Sequence, residues 1–249
     1  MNAHREDSPP AGMSRREWRE KQASADEKQA TTTEQQVALP DFLGSPATAE
    51  QPRSALTILT VCTGNICRSP LAEILLRARL EPLGVRVHSA GTHALVGHGM
   101  PDFALELAHQ AGVDPQVAAA HQARYLVEPL LGDADLILTM AREHRSHVVK
   151  MMPNRLRRTF TIREFARLAS TLSTDDARAA ADAAGRSSQD RFAAVLRAVV
   201  DQRGLTPANA DDDDVIDPYR RSRDTYALSG SQLIPTIDEV ERIVRVAIV

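Results

Sequence analysis

From about residue 55 onward, short unbroken apolar runs alternate with longer stretches in which apolar side chains recur every three or four positions. Leu56–Val61 is continuous apolar chain, which predicts a strand buried on both faces. Leu71–Leu80 carries a helical stripe that Pro82-Leu83-Gly84 ends. Val85–Ser89 predicts a second strand, Ser89-Ala90-Gly91-Thr92 a turn, and Pro101–Ala111 a helix after a His- and Gly-containing loop to Gly99. Arg124–Leu131 predicts a short helix, Ala134–Met140 a third strand and Ala141–Met152 a helix. Arg158–Ile162 predicts a short fourth strand, and Arg163–Ser170 begins another helix. Strands separated by helices imply an α/β fold, a parallel sheet with helices on both faces. In such folds ligands gather at the C-terminal ends of the strands.

Two regions depart from this rhythm. Residues 1–54 are rich in Gln, Glu, Ala, Thr, Ser and Pro and read as a disordered tail. Within it, Ser14–Lys21 predicts a short charged helix carrying Trp18, the only Trp of the chain. Residues 171–214 read as a helical insertion, with helices over Ala177–Ala184 and Phe192–Gln202 and a mobile, solvated acidic end at Asp211–Asp214. Ser222–Leu228 and Thr236–Val249 predict a last helix that Pro235 breaks or kinks. The domain reading is therefore a tail over 1–54 and one catalytic domain over 55–249.

The chain has 249 residues, 43% of them hydrophobic, and a net charge of −3. That balance argues against nucleic acid as the main partner, which needs a basic stripe. No secretory pattern opens the chain, and no run of roughly 18 apolar residues is present to span a membrane. The two cysteines, Cys62 and Cys67, lie in one loop and leave none for a structural framework. A reactive thiol fits a reducing cytoplasm.

That loop, Cys62-Thr63-Gly64-Asn65-Ile66-Cys67-Arg68-Ser69-Pro70, joins the first strand to the first helix. Backbone N–H groups of such a loop can converge on an anion, and Arg68 adds a planar fork that matches two phosphate oxygens. The same positive surroundings favour a thiolate at Cys62. Gly64 can take a positive φ, Asn65 also tolerates the left-handed region and its amide can tie the loop internally, and Ser69 is expected to cap the helix with Pro70 at its first position. Alternatively, the Ser69 hydroxyl donates to the Cys62 sulfur. Late in the chain, Asp217-Pro218-Tyr219 offers a carboxylic acid on a stiff loop and an aromatic for the pocket mouth. Apart from His93 and His98 in the 91–99 loop, the histidines His88, His109, His121, His144 and His147 read as packing or surface residues. No set of side chains completes a metal site.

The loop Cys62–Pro70 followed by Leu71-Ala72-Glu73, then Ser89-Ala90-Gly91-Thr92, Asp135–Met140 and Asp217-Pro218-Tyr219, resembles the signature of the low-molecular-weight protein tyrosine phosphatases. The resemblance covers residues 55–249 apart from the insertion. It implies a three-layer α/β/α fold of the P-loop phosphatase type on a four-stranded parallel sheet. It also implies hydrolysis of phosphotyrosine through a cysteinyl-phosphate, with no cofactor or metal. By matching positions Cys62 is the nucleophile, Arg68 holds the phosphoryl oxygens and Asp217 is the general acid and base. Thr63, Gly64, Asn65, Ile66, Cys67, Ser69 and Tyr219 bind substrate or support the loop, and Cys67 could pair reversibly with Cys62. The implied partner is a phosphotyrosine-containing protein, a bacterial tyrosine kinase or its target. An arsenate reductase of the same fold is the alternative. The loop Gly91–Gly99 lacks the Trp or Tyr that some members carry and offers His93, Leu95 and His98 instead.

Overall fold

The computed structural model describes residues 55–207 and 212–248. The expected tail, the Trp18 helix and Asp211 lie outside the described residues. Four strands, β1 (Thr57–Cys62), β2 (Arg86–Gly91), β3 (Leu136–Thr139) and β4 (Thr159–Thr161), form one sheet in the order β2-β1-β3-β4. All pairings are parallel, with Cys62 opposite Gly91 and Val61 opposite Thr139.

Every residue of β1 is buried, as expected of a central strand covered on both faces. Its alternation sorts the core. Ile58 and Cys62 face one apolar cluster together with Leu136 and Leu138, while Leu59, Val61 and Ile137 face the other. The first and larger cluster receives α1 (Arg68–Leu80), α2 (Asp102–Gln110) and α3 (Pro115–Ala119). The second receives α4 (Glu128–Asp133) and α5 (Arg142–Met151) through Leu131 and Val148. The first cluster is completed by α6 (Ile162–Ser170), α7 (Thr174–Ala183), α8 (Ser188–Asp201) and α9 (Arg223–Ile248). The layers are those of the expected α/β/α sandwich.

Helices α7 and α8 start where Ser173 and Ser187 accept from the backbone N–H of Asp176 and Asp190. They bury Ala177, Ala181, Phe192, Val195 and Val199 in the main core. Of the acidic residues that follow, Asp213 and Asp214 are pinned, contrary to the expectation of a solvated linker. Asp213 is buried and pairs with Arg167 at 3.0 Å, and Asp214 accepts from the Arg142 N–H at 2.8 Å and pairs with its guanidinium. Carboxylates that read locally as a charge run meet cations from distant helices.

Other local expectations are corrected. Helix α1 begins at Arg68 with Cys67 at its N-cap, so Ser69 and Pro70 sit inside the first turn. Ser89-Ala90-Gly91 continues β2 rather than turning. Arg124 is not helical, Tyr125 forms a parallel bridge with Gly91, and the helix begins only at Glu128. Pro235 does not break α9. It lies on the exposed side, where water can solvate the carbonyl one turn back that loses its N–H partner. The short helix α3 was not anticipated.

Candidate active site

Cys62 ends β1, and the chain closes around its sulfur before α1 begins. The residue in the left-handed region is Asn65 (φ 55), rather than Gly64. Asn tolerates that conformation because its short polar side chain bonds locally. The Asn65 amide is a hub. Its Nδ2 donates to Ser69 Oγ at 3.0 Å and to Ser89 Oγ at 2.8 Å, and its Oδ1 accepts from the Arg124 N–H at 2.9 Å. Ser89 in turn donates to buried Glu73, and His121 Nε2 donates to the Asn65 carbonyl at 2.7 Å. Because Ser69 Oγ accepts from Asn65, its own proton is available to Cys62 Sγ, 3.0 Å away. The Asn65 N–H also reaches Sγ at 3.3 Å. Two donors thus converge on the sulfur, the partners a sulfur anion needs.

The backbone of the loop is turned inside out. The carbonyls of Cys62, Thr63 and Gly64 accept from the N–H groups of Thr92, His93 and Leu95 at 2.9–3.0 Å. With the carbonyls held outward, the N–H groups of Gly64, Ile66 and Cys67 have no acceptor among the described residues. Groups of this kind cradle anions. The neighbouring strand must come very close for this. A Cβ at Gly91 would lie 2.5 Å from the Thr63 carbonyl oxygen and 3.0 Å from the Asn65 Cβ.

Arg68 is 4% exposed. One guanidinium nitrogen donates to the Val215 carbonyl at 3.0 Å, and the other pairs with Asp217 at 3.1 Å. Asp217 also accepts from the Tyr219 N–H at 3.2 Å. A cavity of about 210 Å³ gathers Cys62, Thr63, Gly64, Ile66, Cys67 and Arg68 from the loop, His93 and Leu95 from the segment after β2, and Asp217 and Tyr219 from the late turn. Asn65 and Ser69 are the two expected site residues that do not line it; both are fully buried behind it. Cys67 differs sharply from Cys62 in its partners. Burial pushes its thiol up to about 12, and its sulfur lies 3.7 Å from the Tyr226 hydroxyl. Both cysteines are free.

Several residues behind the cavity were not anticipated as site residues. Glu73, Ser89, His121 and Arg124 form the support of Asn65, and His144 Nε2 lies 2.8 Å from Thr63 Oγ1. Burial, then the Arg68 charge, lowers His144 to about 3, so its ring is neutral. Glu73 and Ser89 fall inside the motifs quoted above but without a site role, and His121, Arg124 and His144 meet the loop from segments that no local pattern marks.

A parallel sheet carrying a cysteine, an arginine and outward-tied carbonyls in one strand-to-helix loop defines the class of cysteine-centred anion loops. The model of the low molecular weight phosphotyrosine protein phosphatases matches residues 57–204, and the chain belongs to that family. It is 45% identical over 97 residues to the low molecular weight protein-tyrosine-phosphatase Etp of Escherichia coli K12, covering 39% of this chain and 62% of that protein. The chain therefore spans about 62% of the length of that relative. A low molecular weight protein tyrosine phosphatase from T. tengcongensis superposes with a TM-score of 0.52 at 28% identity, over 75% of this chain and 97% of the other. The YwlE arginine phosphatase from Geobacillus stearothermophilus superposes with a TM-score of 0.51 at 26% identity, over 75% and 90%. Among the described residues, no helix is long and apolar enough to cross a membrane, and no cluster of His, Cys, Asp and Glu could hold a metal ion.

Proposed function

We propose that the protein is a protein tyrosine phosphatase. The observation that carries the reading is the convergence of Cys62 Sγ, free loop N–H groups, the Arg68 guanidinium and the Asp217 carboxyl on one cavity. The Cys62 thiolate attacks phosphorus in line, while the loop N–H groups and Arg68 hold the equatorial oxygens, so the step is mainly positioning and electrostatics. Asp217 gives a proton to the departing phenolate. The same carboxylate then takes a proton from the water that hydrolyses the cysteinyl-phosphate. Thr63, Gly64, Ile66 and Cys67 form the cradle, Asn65 and Ser69 hold it, and Tyr219 flanks the ring. Asp217 pairs with Arg68 at 3.1 Å, and an incoming phosphoryl group replaces that carboxylate.

Ile66, Leu95 and Tyr219 line the cavity with apolar surface. Such walls suit a phenyl ring better than a charged phosphoguanidinium, which would lose hydration against them. The substrate is then a phosphotyrosine-bearing protein, a bacterial tyrosine kinase or its target, in the cytoplasm. A cysteine-relay arsenate reductase would need thiols beyond Cys62 and Cys67, and the chain has none.

Phosphate release from para-nitrophenyl phosphate and from phosphotyrosine and phosphoarginine peptides, with chelator present, tests the reading. Chelator-resistant turnover that favours the tyrosine ester and vanishes in Cys62→Ser is the expected result. Preference for phosphoarginine, or no turnover together with arsenate reduction by a small thiol, overturns it.

A further inference from the structure

His144 sits at the start of α5, 2% exposed, and bonds to a loop residue that lines the cavity. Its Nδ1 is buried with no hydrogen-bond partner. Two observations fix which nitrogen carries the proton. A buried N–H without an acceptor costs more than a buried lone pair without a donor, which places the proton away from Nδ1. Nε2 also lies 3.4 Å from the Glu143 carboxylate, which only accepts. Nε2–H is therefore the donor, and Thr63 Oγ1 the acceptor.

That assignment leaves the Thr63 hydroxyl proton without an acceptor among the described residues. We propose that Thr63 Oγ1 donates to a phosphoryl oxygen of the bound substrate, and that His144 is the positioning residue that fixes this hydroxyl as a donor. The inference rests on the phosphatase reading and adds to it a side-chain donor in a cradle otherwise made of backbone N–H groups and Arg68. The arrangement repeats the one beside the nucleophile. There Asn65 donates to Ser69, which frees the Ser69 proton for Cys62. Here His144 donates to Thr63, which frees the Thr63 proton for the ligand. A neutral imidazole suits the task, because it polarises the hydroxyl without a charge that would compete with Arg68 for the anion.

The test is a titration of the full chain with inorganic phosphate by calorimetry, which needs no turnover. A failure of the phosphatase reading and a failure of this inference therefore remain distinguishable. Thr63→Val keeps the side-chain shape and removes the hydroxyl. It is expected to weaken phosphate binding roughly tenfold, the range of a hydrogen bond to a charged group. His144→Leu is expected to weaken it comparably, and His144→Gln, whose amide nitrogen reaches the same place, to restore most of the loss. The double variant Thr63→Val, His144→Leu is expected to bind no worse than Thr63→Val alone. Wild-type affinity in Thr63→Val overturns the proposal, as do multiplying losses in the double variant. A His144→Leu protein with a lower melting temperature but unchanged phosphate affinity would show a packing role only and also overturns it. Should that variant not fold, His144→Gln decides: affinity near wild type supports the relay, and loss equal to that of Thr63→Val refutes it.

Discussion

The anion loop over 62–69 and the late strap over 213–219 face each other across one cavity and are built on opposite terms. In the loop, Asn65 and Ser69 are fully buried, and Cys62 and Arg68 are 2% and 4% exposed. In the strap, the Asp217 side chain is 54% exposed and Ile216 and Tyr219 lie near the surface. The loop is tied through its carbonyls at Cys62, Thr63 and Gly64 and through the Asn65 and Ser69 side chains, which leaves the N–H groups of Gly64, Ile66 and Cys67 for a ligand. The strap is held at one end by Asp213 and Asp214, by the buried Val215 plug and by the bond from Ile216 N–H to Gln232. Donors aimed at a phosphoryl group work best when they need no reorganisation. The exposed Asp217 carboxylate, proposed above as the proton donor, pairs with Arg68 at 3.1 Å.

The most drastic way to break this contrast is to neutralise the strap's carboxylate. Asp217→Asn is expected to lower kcat on alkyl-substituted phenyl phosphates by about 10²–10⁴, the usual contribution of a positioned acid. The loss should shrink for para-nitrophenyl phosphate, whose leaving group needs little protonation. Phosphate binding should hold or tighten, since Arg68 loses its competing partner. An equal loss on good and poor leaving groups would show that Asp217 only shapes the pocket.

On the loop side, Asn65→Ala removes the hub, leaves the Arg124 N–H without its acceptor and takes a donor from each of Ser69 Oγ and Ser89 Oγ. We expect a fall in kcat/KM of about 10²–10³, as for loss of an oxyanion donor. Unfolding stability should drop by about 2–4 kcal/mol, because buried groups left unpaired cost about 1–3 kcal/mol each. Denaturant unfolding alongside kinetics checks both. An active, stable variant would mean that Thr92, His93 and Leu95 alone hold the loop.

These two regions also differ in how far the chain's own pattern reveals them. The strands and most helices are legible because apolar runs and helical stripes are local. The loop is legible because its cysteine, left-handed Asn and arginine lie within seven consecutive positions, 62–68. Its support is not. Glu73, Ser89, His144 and the pair His121 and Arg124 come from four segments, and His144 lies 81 positions from the residue it touches. Asp213 and Asp214 look like linker until Arg167 and Arg142, 46 and 72 positions away, are brought to them. A break at Pro235 is the local expectation, but α9 runs through it with the proline on its exposed side, where water can solvate the freed carbonyl.

The buried imidazole offers a gentler probe that acts on stability through pH. In the folded chain burial holds His144 near 3, against 6.5 when free. The unfolded chain therefore binds more protons between these values, and stability falls as pH falls through that window. Between pH 7 and pH 4 this group alone removes roughly 3 kcal/mol. His144→Gln does not titrate, so its stability should decline less over the same range. Parallel pH curves of unfolding free energy for the two proteins would show that the ring gains a proton without cost.

The smallest expected effect separates holding the strap from presenting the acid. Asp214 accepts from the Arg142 N–H at the start of α5 and pairs with the Arg142 guanidinium at 3.2 Å. Asp214→Ala removes a capping interaction and a partly exposed ion pair, so stability should fall by about 1 kcal/mol. Val215 remains buried and its carbonyl still accepts from Arg68, so Asp217 keeps its place. The expected kinetic result is a small loss of kcat with the leaving-group dependence unchanged. A loss that grows with poorer leaving groups, as in Asp217→Asn, would mean that the strap is aimed from its acidic end. A flat response would mean that the Val215 plug and the Arg68 bond suffice to aim it.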